Sequence, residues 1–237
     1  MSTQRPAQAR ENYDKLANEY YLPVAHPTCA ALRAASALSF ASFLGHVQLR
    51  GQWCELGTGK SLLLDVASSL CIAFERPPIL CDVSSRMLQC TPTWQRRTAT
   101  LVLADALTLP FQPSTFAGIA MSLADPYNGE VLWSEIGRVA ASACQVCFTV
   151  PDYEWARRYR AREGSPMDVA RFALASGQVI DTPSIVLPER DQIAVAAAAG
   201  FRLHRLERIS RKEVGSLLAP KLDGVANVLT SYWFRRL

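Results

Sequence analysis

The run Trp53-Cys54-Glu55-Leu56-Gly57-Thr58-Gly59-Lys60-Ser61 decides the fold, together with Ile79-Leu80-Cys81-Asp82-Val83-Ser84 further along the chain. Read physically, an acid ends one strand, a glycine turn leads into a helix, and a second strand ends in another acid. Glycine tolerates positive φ and has no Cβ, so a ligand can approach the turn backbone closely. A doubly wound sheet uses an acid at the tip of its second strand, roughly 20 residues on, to accept from ribose hydroxyls. The pattern predicts a nucleoside-binding α/β protein.

Gly59-Lys60-Ser61 also matches the end of a phosphate-binding P-loop, which needs another glycine five positions before Gly59. Cys54 stands there. Glu55 would moreover set a carboxylate beside the phosphates, where such a loop needs N–H groups facing the anion. The triphosphatase reading is set aside.

Working outward, strands and helices alternate. The first strand is predicted over Val47–Glu55, with its helix over Ser61–Leu70 and the second strand over Pro78–Asp82. A helix follows from Ser84 to Thr91, with strands over Thr98–Ala104, Phe116–Leu123 and Cys144–Val150 and a helix over Glu130–Ala141. Residues 10–48 read as helical. Residues 152–188, carrying Pro166 and Pro183, read as an insertion. A helix from Pro188 to Ala199, ended by Gly200, leads to strands over Phe201–Ile209 and Val228–Phe234. The alternation predicts a mostly parallel sheet covered by helices on both faces.

The 237 residues, 49% hydrophobic and 19% charged, suffice for one generous domain. That domain divides into a helical cap (1–48), a core (49–151), a lid-like insertion (152–188) and a closing part of the sheet (189–237). No apolar run approaches the roughly 18 residues of a membrane span. The first residues lack a secretory apolar core, so a cytoplasmic location is expected. The seven cysteines sit in apolar contexts and read as reduced thiols. Cys144 and Cys147 have metal-like spacing, but on a strand residues three apart face opposite sides. The three histidines are scattered, and no metal site is expected. Net charge is +4, too little to demand nucleic acid. The arginines of the run Trp155–Arg162 read mainly as a solvated helix face, with phosphate contact as the alternative.

Glu55-Leu56-Gly57-Thr58-Gly59, Cys81-Asp82-Val83-Ser84-Ser85-Arg86-Met87-Leu88 and Ala104-Asp105-Ala106 through Pro110-Phe111 resemble successive signatures of class I S-adenosylmethionine-dependent methyltransferases. In particular they are similar to the type 11, ubiquinone/menaquinone-methyltransferase-like group. Glu11 to Tyr20, Glu135 to Val139, Asp152 with Trp155, and Ala199-Gly200-Phe201 match further points in the same order. Ser61 stands where the group has a third glycine, which predicts a helix set slightly back from the turn.

The resemblance implies a seven-stranded Rossmann-like sheet whose last strand enters antiparallel, with S-adenosylmethionine over the carboxyl ends of the strands. It implies that Glu55 and the Gly57, Thr58, Gly59 turn face the methionine part and ribose. Asp82 would accept from both ribose hydroxyls. Val83 or Met87 would pack on adenine, Asp105 and the Ala106 N–H would hold its edge, and Leu123, at the fourth strand's end, would also contact the cofactor. Tyr13 and Tyr20 would close over the sulfonium, a cation that aromatic faces attract.

Methyl transfer from a sulfonium is an in-line displacement of an already activated group, so alignment and exclusion of water carry much of the rate. The candidate acceptor-side residues are Asp125, Tyr127 and Asn128 in Ala124-Asp125-Pro126-Tyr127-Asn128, which resembles the polar-Pro-Pro-aromatic motif of amino-group methyltransferases with one proline missing. The same pairs also favour a plain turn. Trp155 and Tyr159 would roof the acceptor. A small-molecule acceptor is expected; a nucleic acid or other macromolecule, and a non-catalytic cofactor-binding protein, are the alternatives.

Overall fold

The computed structural model of the protein describes residues 4–215 and 219–237. Helices α1 (Gln4–Leu16) and α2 (Pro27–Leu44) precede β1 (Trp53–Leu56), α3 (Leu62–Ser69) and β2 (Ile79–Asp82). Then come α4 (Ser85–Gln89), α5 (Thr93–Thr98), β3 (Thr100–Leu103), β4 (Phe116–Met121), α6 (Glu130–Val139) and β5 (Ala140–Pro151). The insertion holds α7 (Tyr153–Glu163), β6 (Val169–Ala173) and β7 (Val179–Pro183), before α8 (Glu189–Ala198), β8 (Phe201–Ser210) and β9 (Asn227–Arg236).

Seven strands form one sheet in the order β3-β2-β1-β4-β5-β9-β8. All pairs from β3 to β5 are parallel, whereas β9 runs antiparallel between β5 and β8. The order reverses between β1 and β4, and an open α/β sheet presents its crevice outside the carboxyl ends of the strands at such a point.

One face of the sheet packs Phe116, Ile119, Phe148 and Phe234 with Trp133 and Ile136 of α6 and Ala196 of α8. The other packs Trp53, Ala120, Cys147 and Trp233 with Phe40, Phe43 and Leu44 of α2 and Leu63 and Val66 of α3. Cys144 belongs to the first cluster and Cys147 to the second, as strand alternation predicts. Gly118 of β4 lies against the Trp53 indole, where any Cβ would collide with the ring.

The boundaries shift for local reasons. β1 begins at Trp53 and not at Val47, because Gly51 turns at φ +69° and its N–H donates to Glu75. β4 stops at Met121, two residues before Leu123, which adopts φ +52°. The stretch expected as one helix from Ser84 to Thr91 is α4, and α5 follows it as a separate helix. The insertion contains a two-stranded hairpin, β6–β7, that the sequence reading did not anticipate. Among the described residues no helix is long and apolar enough to cross a membrane, and no cluster of ligand side chains could hold a metal.

Candidate functional site

The tip of β1 is built around Glu55, which is 1% exposed. One carboxylate oxygen accepts from the Leu62 and Leu63 N–H groups at the start of α3, at 3.1 and 3.2 Å. The other accepts from the Thr58 hydroxyl at 2.9 Å and from the Ser61 hydroxyl. Ser61 in turn caps α3 by accepting from Leu64 N–H. A carboxylate at a helix N-terminus satisfies orphan donors and complements the helix dipole. Burial pushes the Glu55 carboxyl up, and these hydrogen bonds pull it back. Glu55, expected at the cofactor, therefore engages its carboxylate at the start of α3 and is not among the residues that line the crevice. Ser61, in place of a third glycine, supplies one of its donors.

Asp82 at the tip of β2 is spent differently. Its two oxygens accept from the Gly59 and Ser84 N–H groups at 2.8 and 2.9 Å, and its carboxylate lines the crevice. Burial pushes its carboxyl up to about 6 against those backbone donors. Gly57 turns at φ +65° with open space where a Cβ would lie. Over Gly59 stands the Tyr21 hydroxyl, which accepts from Lys60 N–H at 2.8 Å and would be struck by any Cβ there. The guanidinium of Arg33 lies 5.3 Å from the Tyr21 ring centroid and is paired with Asp65 at 3.2 Å. Tyr21 and Arg33 were not legible as site residues, since nothing local ties α2 or the segment before it to the glycine turn and α3.

The crevice wall continues with Thr58, Val83 and Met87 around Asp82, with Ala106 after β3 and Leu123 and Tyr127 after β4. Gly59 and Asp105, expected at the cofactor, are not among the residues that line the crevice. Asp105 accepts from Leu107 N–H at 2.9 Å, a local turn, and its charge with that of Asp82 adds to the burial that raises the Tyr127 phenol. Tyr13 and Tyr20 meet edge to face at 6.3 Å, and burial pushes both phenols well up. Together with Leu123 they line both the crevice and a second cavity of about 620 Å³ beside it.

Asp125 lines this second cavity. It lies in the 3-10 turn Asp125–Tyr127, and its carboxylate accepts from the Ser184 hydroxyl, which accepts in turn from Arg160 Nη2 at 2.6 Å. Burial pushes the Asp125 carboxyl up to about 6, relieved by Ser184 and by the charge of Arg160. Trp155 and Tyr159 of α7 also line it, stacked at 5.7 Å with rings 18° apart. The expected arginine face divides: Arg157 and Arg158 pair with Glu154 on the exposed side of α7, whereas Arg160 is buried.

Asn128 is a correction. It is 1% exposed and lines neither cavity. Its amide donates to Ile185 O and Gln192 Oε1 and accepts from the Trp133 indole N–H, so it ties the turn to α6, α8 and the insertion.

No protein-family model matches the sequence, and no curated protein sequence does either. Solved structures do match. A complex of DhpI with SAM and HEP superposes with a TM-score of 0.68 at 15% identity, covering 98% of this chain and 99% of that one. A methyltransferase from Mesorhizobium loti, described as S-adenosylmethionine dependent, gives 0.61 at 14% identity, covering 85% and 98%. Geranyl diphosphate C-methyltransferase from Streptomyces coelicolor A3(2), solved with Mg2+, geranyl diphosphate and S-adenosyl-L-homocysteine, gives 0.59 at 10% identity, covering 86% and 79%. The fold is that of these methyltransferases.

Proposed function

We propose that this protein is an S-adenosylmethionine-dependent methyltransferase that acts on a small molecule. The observation that carries the reading is the pair of adjoining cavities: the crevice over the glycine turn and Asp82 meets a larger chamber at Tyr13, Tyr20 and Leu123. The residues present suit the cofactor. Gly57 leaves open space above the turn, and Asp82 offers a two-oxygen acceptor to adjacent hydroxyls. Val83 and Met87 offer an apolar wall for adenine, with Asp105 and the Ala106 N–H at its edge.

Among the described residues lining the crevice, Arg33 carries the one positive charge, and it suits the carboxylate of the amino-acid end. Tyr13 and Tyr20 turn aromatic surface toward the neck, where a sulfonium is stabilised by ring faces. When bound, the cofactor supplies an activated methyl group. The chain's residues hold it beside the chamber, shut out water and align the acceptor.

The likeness to a small-molecule enzyme such as geranyl diphosphate C-methyltransferase supports the choice of acceptor class. So does a chamber within the range of small-ligand sites. The 152–188 insertion acts as its lid. Calorimetry tests the reading: S-adenosylmethionine or its demethylated product binds, and ATP with magnesium does not. ATP binding without S-adenosylmethionine binding overturns it. Trp155→Ala and Tyr159→Ala should lower turnover while leaving cofactor affinity nearly unchanged. Tyr127, expected on the acceptor side, lines the crevice instead, and Tyr127→Ala should weaken cofactor binding.

A further inference from the structure

Among the described residues, the charged side chains that line the chamber are answered within the protein, with one exception. Arg160 and Asp125 are joined through Ser184. Arg171 pairs with Asp181 at 2.9 Å, and Glu163, the last residue of α7, lies 3.6 Å from Arg162. The exception is Lys221. Among the described residues no carboxylate pairs with it, and its ammonium lies 5.3 Å from the Tyr159 ring centroid. A cation over a ring face keeps its charge, so its open side can still receive an anion.

The place of this lysine is set by its backbone. It sits in the 3-10 turn Pro220–Leu222, and the Trp155 indole N–H donates to its carbonyl at 2.7 Å. Leu222 beside it is fully buried in one cluster with Trp155 and Leu229. The exposed side chain therefore leaves from a fixed point beside the ring it overhangs. Tyr159 lines the chamber and not the crevice, whereas Tyr13, Tyr20 and Leu123 line both. The ammonium thus belongs to the chamber wall and not to the neck. The charge at the neck is that of Asp125, which is felt by Tyr13 and Tyr20 and opposes that of Lys221 at Cys29 of α2. An anionic group on a guest is repelled where Asp125 stands and received where Lys221 stands, which decides the end that faces the cofactor.

The kind of anion follows from what surrounds Lys221. A phosphate is held by arginine forks or by the N–H groups at a helix start. Arg160 and Arg171 are engaged, and the start of α7 is closed by Asp152, whose carboxylate accepts from Trp155 N–H at 3.0 Å. One ammonium, a compact point charge with three donors, balances one negative charge. The wall around it is apolar or aromatic: Leu32, Ala156, Trp155 and Tyr159.

We propose that the acceptor is an apolar monocarboxylate and that Lys221 is the specificity-determining residue that receives its carboxylate. The apolar body then fills the chamber, and the methyl-accepting end lies at the neck. The inference rests on the proposed function, which puts the cofactor in the crevice.

Calorimetry on the protein loaded with S-adenosyl-L-homocysteine tests this with four probes that share one alkyl tail: octanoate, octanamide, octylamine and octyl phosphate. At low salt octanoate should bind about tenfold tighter than octanamide, the scale of one charge-assisted hydrogen bond, and the cationic octylamine should bind weakest. Added salt should narrow the gap, because the ammonium is exposed. Lys221→Met keeps an apolar stem and should bring octanoate down to the level of octanamide. Lys221→Glu should invert the order, so that octylamine binds tightest. Both variants should keep their Tm and their affinity for S-adenosyl-L-homocysteine, since the carbonyl that meets Trp155 stays in place. Equal binding of octanoate and octanamide, or a preference for octanoate that survives Lys221→Met, overturns the inference, as does failure of all four probes to bind. Tightest binding of octyl phosphate, lost in Lys221→Met, overturns the choice of carboxylate. If S-adenosyl-L-homocysteine itself does not bind, the proposed function falls and this inference with it; if it binds and the probes show no preference by charge, only this inference falls.

Discussion

The crevice at the tips of β1 and β2 and the chamber beneath α7 and the β6–β7 hairpin are held together by different means. In the crevice, two buried acids grip backbone N–H groups of the glycine turn and of the helix starts that follow, and most partners lie within thirty residues of each other. In the chamber, side chains bridge segments far apart in sequence: Asn12 to Asp181 O, Glu19 to Ala175 N, Asn128 to Gln192, and Arg160 through Ser184 to Asp125. A backbone-anchored turn is set once its own residues fold, whereas a chamber closed by long-range side chains can be reshaped one residue at a time. Under the proposed function, the crevice holds the cofactor on a fixed turn and the chamber chooses the acceptor.

The sharpest way to break this comparison is at Glu55. Its carboxylate satisfies two helix N–H groups and two hydroxyls, all buried. Glu55→Ala leaves them without an acceptor and should cost about 3 kcal/mol or more of stability, which lowers Tm by roughly 10 °C in a chain of this size. Glu55→Gln, which keeps one acceptor oxygen for the helix, should lose less. If Glu55→Gln instead keeps its Tm and loses cofactor affinity, the acid of β1 is a binding residue and the geometry described here misassigns it.

Asp82→Ala comes next. It removes the acceptor proposed for two ribose hydroxyls, worth roughly 2–3 kcal/mol of cofactor affinity, read by calorimetry on a variant shown to be folded. The same residue gives a pH signature. Burial holds its carboxyl at about 6, above the ordinary 3.8, so cofactor affinity should fall about fivefold between pH 6 and pH 5 as the charge is lost. Unfolding does not mimic this. A carboxyl raised on folding binds its proton more tightly in the native chain, so its stabilising contribution is full below its unfolded value and is lost as pH rises through about 6. Affinity at this site therefore weakens on acidification while the fold, at this group, strengthens. Asp82→Asn should flatten the affinity profile.

These expectations also explain what the sequence could and could not disclose. Glu55, Gly57, Gly59 and Asp82 were legible because strand, turn and helix follow one another directly, and the mostly parallel sheet follows from the alternation of strands with helices. Legible too was the sheet-spanning pair Cys144 and Cys147. Glu55's orientation was not, because motif spacing places an acid at a strand tip without saying whether the helix or the crevice receives it. Tyr21, in the segment between α1 and α2, reaches the turn at Lys60 across 39 residues, and Arg33 of α2 reaches Asp65 of α3 across 32. No local pattern marks such a reach. Asn128 was misread for the same reason: its partners Ile185 and Gln192 belong to distant segments. The β6–β7 hairpin was hidden because its strands are short and half exposed, with weak alternation.

Arg33 offers a finer cut. If it holds the cofactor's carboxylate, Arg33→Met should weaken S-adenosylmethionine binding about tenfold, a modest charge-assisted hydrogen bond. Binding of 5′-methylthioadenosine, which lacks the amino-acid end, should be unchanged. Equal weakening of both ligands would mean that Arg33 acts only by placing Tyr21 over Gly59.

The smallest effect is expected one turn away from a large one, on a single helix. Arg157 and Arg158 share Glu154 on the exposed face of α7, and exposed pairs of this kind contribute little because solvent screens them. Arg160, on the buried side, donates to Met167 O and to Ser184 and so joins the hairpin to the Asp125 turn. Replacing Arg157 and Arg158 together by Met should leave Tm and turnover unchanged within error. Arg160→Met should lower both, because it strips the Ser184 hydroxyl of its donor and leaves the Asp125 carboxylate without a nearby cation. The pair of variants decides more than stability. A chain that acted on nucleic acid would use the exposed arginines for phosphate contact, and its retention on RNA or DNA would fall with rising salt. Loss of such retention in the Arg157, Arg158 variant would move the acceptor from the chamber to the surface of α7. An unaltered variant leaves the buried arginine, and the chamber it closes, as the part of this helix that matters to the reaction.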